Sequence, residues 1–389
     1  MKPEGVALLS RKGETRVLRG HPWIFRSDVT RVDGASPGSV VRVQGTHGKP
    51  LGFALHSTRS EIRLRMIERG PELSPHWLRD RLSAAIAWRQ TVAKDAAACR
   101  LVHGEGDGLP SLVVDRYGDY LAIQTLSQGT ERLKDAIVST LVELLSPKGI
   151  LERNDPRVRS LEGLEPRVGL LHGEVPDVVL VDEGGIVLEA DLWKGQKTGL
   201  FLDQRENHLM ARSYARGRVL DGFTYNGGFA LSVARQAEQV IAVDLSAEAL
   251  ERVKSNAVRN GLTNVETRDA NVFDLLRELH AKGERFSTVI LDPPAFAKSK
   301  DAVEKARRGY KDINLRALRL LEPGGCLITC SCSYHVHESD LEEILADSAV
   351  DAGATVTVVE KRRQARDHPV VLGVPETYYL KCFVLRKLS

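Results

Sequence analysis

The chain has 389 residues, 42% hydrophobic and 28% charged, which is enough apolar material for sizeable cores and too much length for one ordinary core. No apolar run approaches the roughly 18 residues that span a bilayer, the N-terminus shows no signal-peptide stretch, and five cysteines fit a reducing cytoplasm better than a disulfide framework. The net charge of +3 is uneven: residues 1–70 hold 13 Lys and Arg against 6 Asp and Glu, a local +7 that leaves −4 elsewhere, and such a basic segment points to a polyanion, most simply nucleic acid.

Residues 1–72 read as a small β-barrel. "PGSVVRVQG", "PLGFALHS" and "SEIRLRMIE" alternate with period two between Gly- and Pro-bearing turns. The period becomes helical at "SPHWLRDRLSAAIAWRQTVAKDAAA", with Ser74 as the expected cap before Pro75. "LPSLVVDRYGDYLAIQTLS" predicts a hairpin at Gly118-Asp119, and the helix "ERLKDAIVSTLVELL" follows, so residues 73–185 form a second, α/β unit. A further hairpin, "VVLVDEGGIVLEADL", turns on Gly184-Gly185. From 186 to 389 strands and helices alternate: "RVLDGFTY", "GGFALSVARQA", "QVIAVDLS", "AEALERVKSNAVRNG", "STVILDPP", "GYKDINLRALRLL" and "CLITCSCS". This pattern predicts a doubly wound, Rossmann-like α/β domain with ligands at the carboxyl ends of its strands. The closing strands "TVTVVEKRR" and "YYLKCFVLRK" leave no room for a crossover helix and should pair antiparallel, giving a seven-stranded mixed sheet.

The first strand-to-helix turn, "LDGFTYNGGFALSVA", bears on the cofactor. It lacks the G-x-G-x-x-G of a pyrophosphate cradle and instead ends its strand on Asp221. A carboxylate there repels pyrophosphate but accepts from an ammonium or hydroxyl. Phe223, Asn226 and Gly227 belong to the same turn, and Gly227-Gly228 let the backbone pass close to a ligand. Asp244, 23 residues after Asp221, stands where it can accept from both ribose hydroxyls. Asn271 or Asp269 can read an adenine edge. The set favours S-adenosyl-L-methionine over a dinucleotide; the plain alternative is that Asp221 and Asp244 only cap the following helices.

"VILDPPAFAKSK" follows the fourth strand. Its prolines stiffen the chain and remove two donors. Asp292 can then accept from the exocyclic amine of a flat heterocycle, with Phe296 either stacking on it or lying in the core. Lys298, Lys300, Lys305, Arg307 and Arg308 could meet phosphates or form a solvated face.

The cysteines of "CLITCSCSYHVH" allow several readings. Cys326 and Cys330 read as core, and Cys332 falls where the strand should end. Zinc held by Cys330, Cys332, His335 and His337 fits by residue type but crowds four ligands into eight residues, so no metal is expected. A thiolate has a chemical rationale: by adding to C6 of a pyrimidine it makes the sluggish C5 nucleophilic.

Taken with "GHPWIFRSDV", "GDGLPSLVVDRYGDYL", "ERNDPRVRSLEGL", "GQKTGLFLDQREN", "LDPPAF", "SCS" and "ARDHPV", the whole chain resembles the bacterial large-subunit rRNA (cytosine-C5)-methyltransferases that carry an N-terminal PUA-like domain. The resemblance implies a PUA-like RNA-binding domain, a central α/β domain and a class I methyltransferase domain. The partner would be 23S ribosomal RNA in the cytoplasm, with no membrane, and the protein could form a homodimer. A cytosine would be flipped into the pocket. Cys332 would be the nucleophile and Asp292 would orient the ring. Lys197, Thr198, Asp203, Gln204 and Arg205 would close over the cofactor. Two positions depart from the family pattern: Asn271 where relatives often have Asp, and Cys330, the second choice of thiol, where they more often have an apolar residue. The base for the C5 proton is His335 or water. The alternatives are nitrogen methylation of a purine and a non-catalytic RNA-binding assembly factor.

Overall fold

The structure, a computed structural model, describes residues 2–297 and 299–389, the side chain of Lys300 excepted. It divides into two units. The first comprises Met1–Val181, Ala190–Leu202 and Arg366–Thr377; the second comprises Asp182–Glu189, Asp203–Ala365 and Tyr378–Ser389. Two short stretches of the 186–389 segment, 190–202 and 366–377, thus pack with the N-terminal half.

The first unit holds a six-stranded sheet built from residues 5–69 and a five-stranded sheet built from residues 98–173. The expected hairpin is present, with Tyr117 opposite Tyr120 and Gly118 at φ +58°. A helix at Arg11–Leu18 was not expected. Ser10 caps it by accepting from the Gly13 amide, and Gly13 is required because a Cβ there would lie 2.6 Å from the Asp28 carbonyl. Only Gly13 and Val17 of this helix are buried, too few to print a period on the sequence. The next helix begins at Trp77 and not beside Ser74, whose hydroxyl accepts from the His76 amide and closes the turn before it. One core serves both sheets: Val40, Phe53 and Leu55 pack with Leu82, Leu101, Leu121 and Ile150. A buried Arg65–Glu162 pair at 2.8 Å joins the same two parts.

The second unit holds seven strands: β1 (Arg218–Gly222), β2 (Gln239–Asp244), β3 (Val265–Asp269), β4 (Phe286–Leu291), β5 (Leu321–Ser331), β6 (Val356–Arg363) and β7 (Lys381–Lys387). Their order is β3-β2-β1-β4-β5-β7-β6. The first five run parallel, and β7 lies antiparallel between β5 and β6, as the short connection required. Its helices are α1 (Arg205–Ala211), α2 (Gly228–Val233), α3 (Ala247–Arg259), α4 (Val272–Ala281), α5 (Val303–Leu320) and α6 (Glu338–Ala352). The middle strands are apolar along their length because helices cover both faces; Val219, Leu220, Val240, Val243, Val289 and Leu291 are all buried. Each such side chain contributes about 1.5–3 kcal/mol. α2 stops at Val233 and gives way to a 3-10 turn, short of the predicted end at Ala237.

This strand order positions the site. β1, β4 and β5 are neighbours, so Asp221, Asp292 and Cys332 emerge at the carboxyl ends of adjacent strands. At about 4.8 Å per strand, the three enter a space roughly 10 Å wide.

Candidate active site

The turn after β1 is tightly wound. Phe223 (φ 68°), Tyr225 (φ 50°) and Gly227 (φ 88°) all adopt the left-handed conformation, which for the two non-glycine residues costs about 1–3 kcal/mol each. Two carboxylates offset that strain. Asp221 Oδ2 accepts from Thr224 Oγ1 at 2.6 Å and from the Ala230 amide at 3.0 Å. Asp244 accepts from the Tyr225 amide at 2.8 Å and the Ser246 amide at 3.0 Å. Both acids therefore do fasten backbone, as the plain alternative required. Asp221 has an oxygen to spare: Oδ1 is buried and has no hydrogen-bond partner among the described residues. Burial pushes this carboxyl up to about 7; the Thr224 hydrogen bond opposes the shift and the charge of Asp292 adds to it. An acceptor so placed suits an ammonium donor. Asn226, in the same turn, is buried, and Phe223 is half-buried.

Gly228 serves a neighbour. A Cβ there would lie 2.4 Å from Cε1 of His208, so the glycine makes room for that ring. His208 Nδ1 sits 2.7 Å from Glu183 Oε1 and its ring stands edge-on to Phe229 at 4.5 Å. Burial alone would lower the imidazole's pKa, but Glu183, with Asp292 and Asp221 behind it, raises it. Glu183 therefore favours the protonated form of this imidazole beside the carboxylates of the site.

The segment before α1 is anchored within the same unit. Asp203 accepts from the Tyr379 hydroxyl at 2.9 Å, and its carbonyl accepts from the Ala365 amide at 2.8 Å. Gln204 Oε1 accepts from Asn207 Nδ2 at 2.6 Å, and Arg362 Nε donates to Asn207 Oδ1 at 3.0 Å. Asp203, Gln204 and Arg205 are buried. Lys197 and Thr198 belong to the other unit. There Thr198 donates to Asp115 at 2.6 Å and lies 2.9 Å from the Tyr117 hydroxyl, while Lys197 Nζ stands 4.3 Å from the Phe201 ring centre.

The "DPPAF" and "SCS" segments are stitched together. The Ala297 amide donates to Ser333 Oγ at 3.2 Å, and Cys332 Sγ lies 3.8 Å from the Pro293 carbonyl. Ser331 and Ser333 are buried, and both hydroxyls meet the Tyr310 hydroxyl of α5, at 3.0 and 2.9 Å. Tyr310 thus grips the residues on either side of Cys332. Among the described residues, which include all five cysteines, only Cys332 is not buried. Cys330 is fully buried opposite Cys382, and burial, with Cys382 beside it, pushes its thiol well up. β5 ends at Ser331, so Cys332 leaves the ladder and does not share the sealed face of Cys326 and Cys330.

Other expected residues have settled differently. Phe296 packs 4.6 Å from the Tyr310 ring and against Phe273 and Phe223, and Gly309 leaves space for it. It belongs to an aromatic cluster beside the core. Asn271 is exposed and caps α4 by accepting from the Phe273 amide at 2.9 Å; Asp269, at the end of β3, is exposed too. Arg307 is paired with Asp340 and Glu343, and Lys305 and Arg308 are exposed. Lys298 and the side chain of Lys300 lie outside the described residues. His337 stands at the start of α6, where its amide donates to Asp340. Sequence reasoning missed His208, Glu183, Tyr310 and Lys381. Lys381 did leave a signal, a cation inside the apolar run "YLKCFVL".

Comparison with known proteins follows the same lines. The S-adenosylmethionine-dependent methyltransferase family matches residues 164–383, and the PUA-like domain matches residues 8–69. The chain is 41% identical to a ribosomal RNA large subunit methyltransferase I of Aliivibrio fischeri (strain MJ11), covering 98% of this chain and 99% of that protein. It is 41% identical to the protein of that name from Klebsiella pneumoniae (strain 342), covering 97% of each. Among solved structures it resembles a candidate methyltransferase crystallised with SAH, with a TM-score of 0.84, 21% identity, and 98% and 99% of the two chains covered. A candidate SAM-dependent methyltransferase from Streptococcus mutans superposes at 0.82 with 21% identity and the same coverage. These structural likenesses speak for the fold.

Proposed function

Since the chain belongs to the S-adenosylmethionine-dependent methyltransferases, in the family of the ribosomal RNA large subunit methyltransferases I, we propose that it methylates C5 of one cytosine in 23S ribosomal RNA through a covalent adduct with Cys332. The observation that carries this reading is the placement of Cys332, the one cysteine not buried among the described residues, against the Pro293 carbonyl of the "DPP" turn.

S-adenosylmethionine, when bound, supplies a methyl group on a positively charged sulfur. The residues present suit that cofactor: Asp221 has a spare buried oxygen that would take the ammonium, Asp244 could accept from the ribose hydroxyls, and Asn271 or Asp269 would meet the adenine. Phe223, Asn226 and Gly227 shape the turn between them, and the buried Asp203, Gln204 and Arg205 of the same unit would close over the cofactor. The part expected of Lys197 and Thr198 rests on the resemblance alone.

Asp292 accepts from the cytosine's exocyclic amine, and the two prolines hold it there. The Cys332 thiolate bonds to C6 and the ring's electrons shift to C5, which becomes the nucleophile. Once C5 has gained its methyl and given up its proton, the C6–S bond breaks and the thiolate returns. The basic PUA-like segment grips the RNA backbone, and the enzyme acts in the cytoplasm.

Cys332→Ala tests this reading, with nucleoside mass spectrometry of rRNA as the assay. Methylation should fall more than a hundredfold while calorimetric affinity for S-adenosylmethionine and RNA binding hold. Retained turnover would remove the covalent route and favour methylation at nitrogen.

A further inference from the structure

Lys381 lies near Cys332, and the proposal above gives it no role. It sits in β7 opposite Ser331, the residue before the cysteine. Its side chain is buried at the head of the apolar run Cys382–Leu385, where a cation is costly. Two carbonyls hold the ammonium, Ser333 O at 2.8 Å and Tyr379 O at 3.0 Å. Ser333 is the residue after the cysteine, so the lysine spans from the partner of Ser331 to Ser333, the two residues that flank Cys332.

The charges around it are accounted for. On α6, Asp340 pairs with Arg307, and Glu338 accepts from Tyr378 and faces Lys361. On α5, the Tyr310 hydroxyl is engaged by Ser331 and Ser333. No carboxylate is hydrogen-bonded to the Lys381 ammonium among the described residues; its acceptors are two uncharged carbonyls.

The geometry points to Lys381 as a positioning residue whose buried ammonium stabilises the thiolate form of Cys332. This inference rests on the reading of Cys332 as the nucleophile. Burial draws the ammonium down to about 8, while Cys332, Asp340 and Glu338 hold it up. It is therefore charged at neutral pH, and because Asp340 and Glu338 have other partners, the thiolate is the neighbouring anion left for it to favour. A cation beside a thiol favours the thiolate by Coulomb attraction, and the effect is large where water is excluded.

The test reads the thiol directly. The full-length protein, without RNA or cofactor, is alkylated with iodoacetamide between pH 6 and 9, and the rate at Cys332 is followed by mass spectrometry. The wild-type thiol should titrate below the ordinary ~8.5. Lys381→Met should raise that midpoint and slow alkylation at pH 7 about tenfold, one pH unit of thiolate. Lys381→Arg, which keeps the charge, should recover most of the rate, and the acid limb of the methylation profile should move up in Lys381→Met. Equal alkylation profiles for wild type and a folded Lys381→Met would overturn the inference. If that variant does not fold, the wild-type profile decides, and a midpoint at or above ~8.5 overturns it. Alkylation asks nothing of methyl transfer, so the two ideas fail separately. Turnover by Cys332→Ala removes the nucleophile, whereas an unmoved thiol removes only the role of Lys381.

Discussion

Replacing Asp221 by Asn should make the unliganded protein more stable and its cofactor binding weaker. The native carboxyl keeps its proton up to about pH 7, whereas the unfolded chain releases it near 3.8. Across that interval the native state binds more protons, so stability falls as pH rises, and the loss is complete above about 7. At about 1.4 kcal/mol per pH unit, the span amounts to roughly 4 kcal/mol at pH 8. Asparagine carries no charge to bury. It can still accept from Thr224 and Ala230 through its oxygen, but it puts an NH2 group where Oδ1 had no partner, at a cost of about 1–3 kcal/mol. The net gain at pH 8 is therefore about 1–3 kcal/mol, shrinking toward a loss at pH 4. Urea denaturation of both proteins at pH 4.5, 6 and 8 measures it, and calorimetry should show at least a tenfold weaker affinity for S-adenosylmethionine, whose ammonium loses its anion. A stability difference that stays constant from pH 4.5 to 8 would refute the argument, because the gain would then not come from the charge.

Two further perturbations probe the parts that hold the site. Gly228→Ala drives a methyl group into the His208 ring, which Glu183 and Phe229 pin from other sides, so thermal melts should show a loss of about 1–3 kcal/mol and calorimetry a weaker cofactor complex. An unchanged melting temperature would mean the ring moves freely. Tyr310→Phe leaves two buried serine hydroxyls without their common partner, at about 1–3 kcal/mol. Because Cys332 sits between those serines, kcat should fall about tenfold with cofactor affinity unchanged; an equal loss in both would point to general loosening.

The acids of the site were legible because each ends a strand that the sequence marks with an apolar run. Asp221, Asp244 and Asp292 follow "RVL", "VIAV" and "TVIL", and a parallel sheet puts all such ends on one edge. The supporting side chains were not legible. Glu183 and His208 lie 25 residues apart and meet only through the fold, and nothing local in Gly228 announces that the space belongs to a histidine. Tyr310 reads on the sequence as one apolar position of an amphipathic helix, although its hydroxyl joins the two serines beside Cys332. The helix at Arg11–Leu18 escaped for a different reason: its stability comes from a cap and a close backbone approach, neither of which has a period.

The two thiols of "CSC" show how much a strand boundary decides. In an unbroken strand Cys330 and Cys332 would share a face and an environment. Here β5 runs along β7 only as far as the pair Ser331–Lys381, so Cys330 remains within the ladder, facing Cys382, and burial keeps it protonated. One residue past that pair the backbone is free to turn, and the serines rather than the cysteine take up the buried hydrogen bonds to Tyr310. The flanking serines thus do for the chain what Cys332 does not have to do: they satisfy the interior, which leaves the sulfur 3.8 Å from the Pro293 carbonyl.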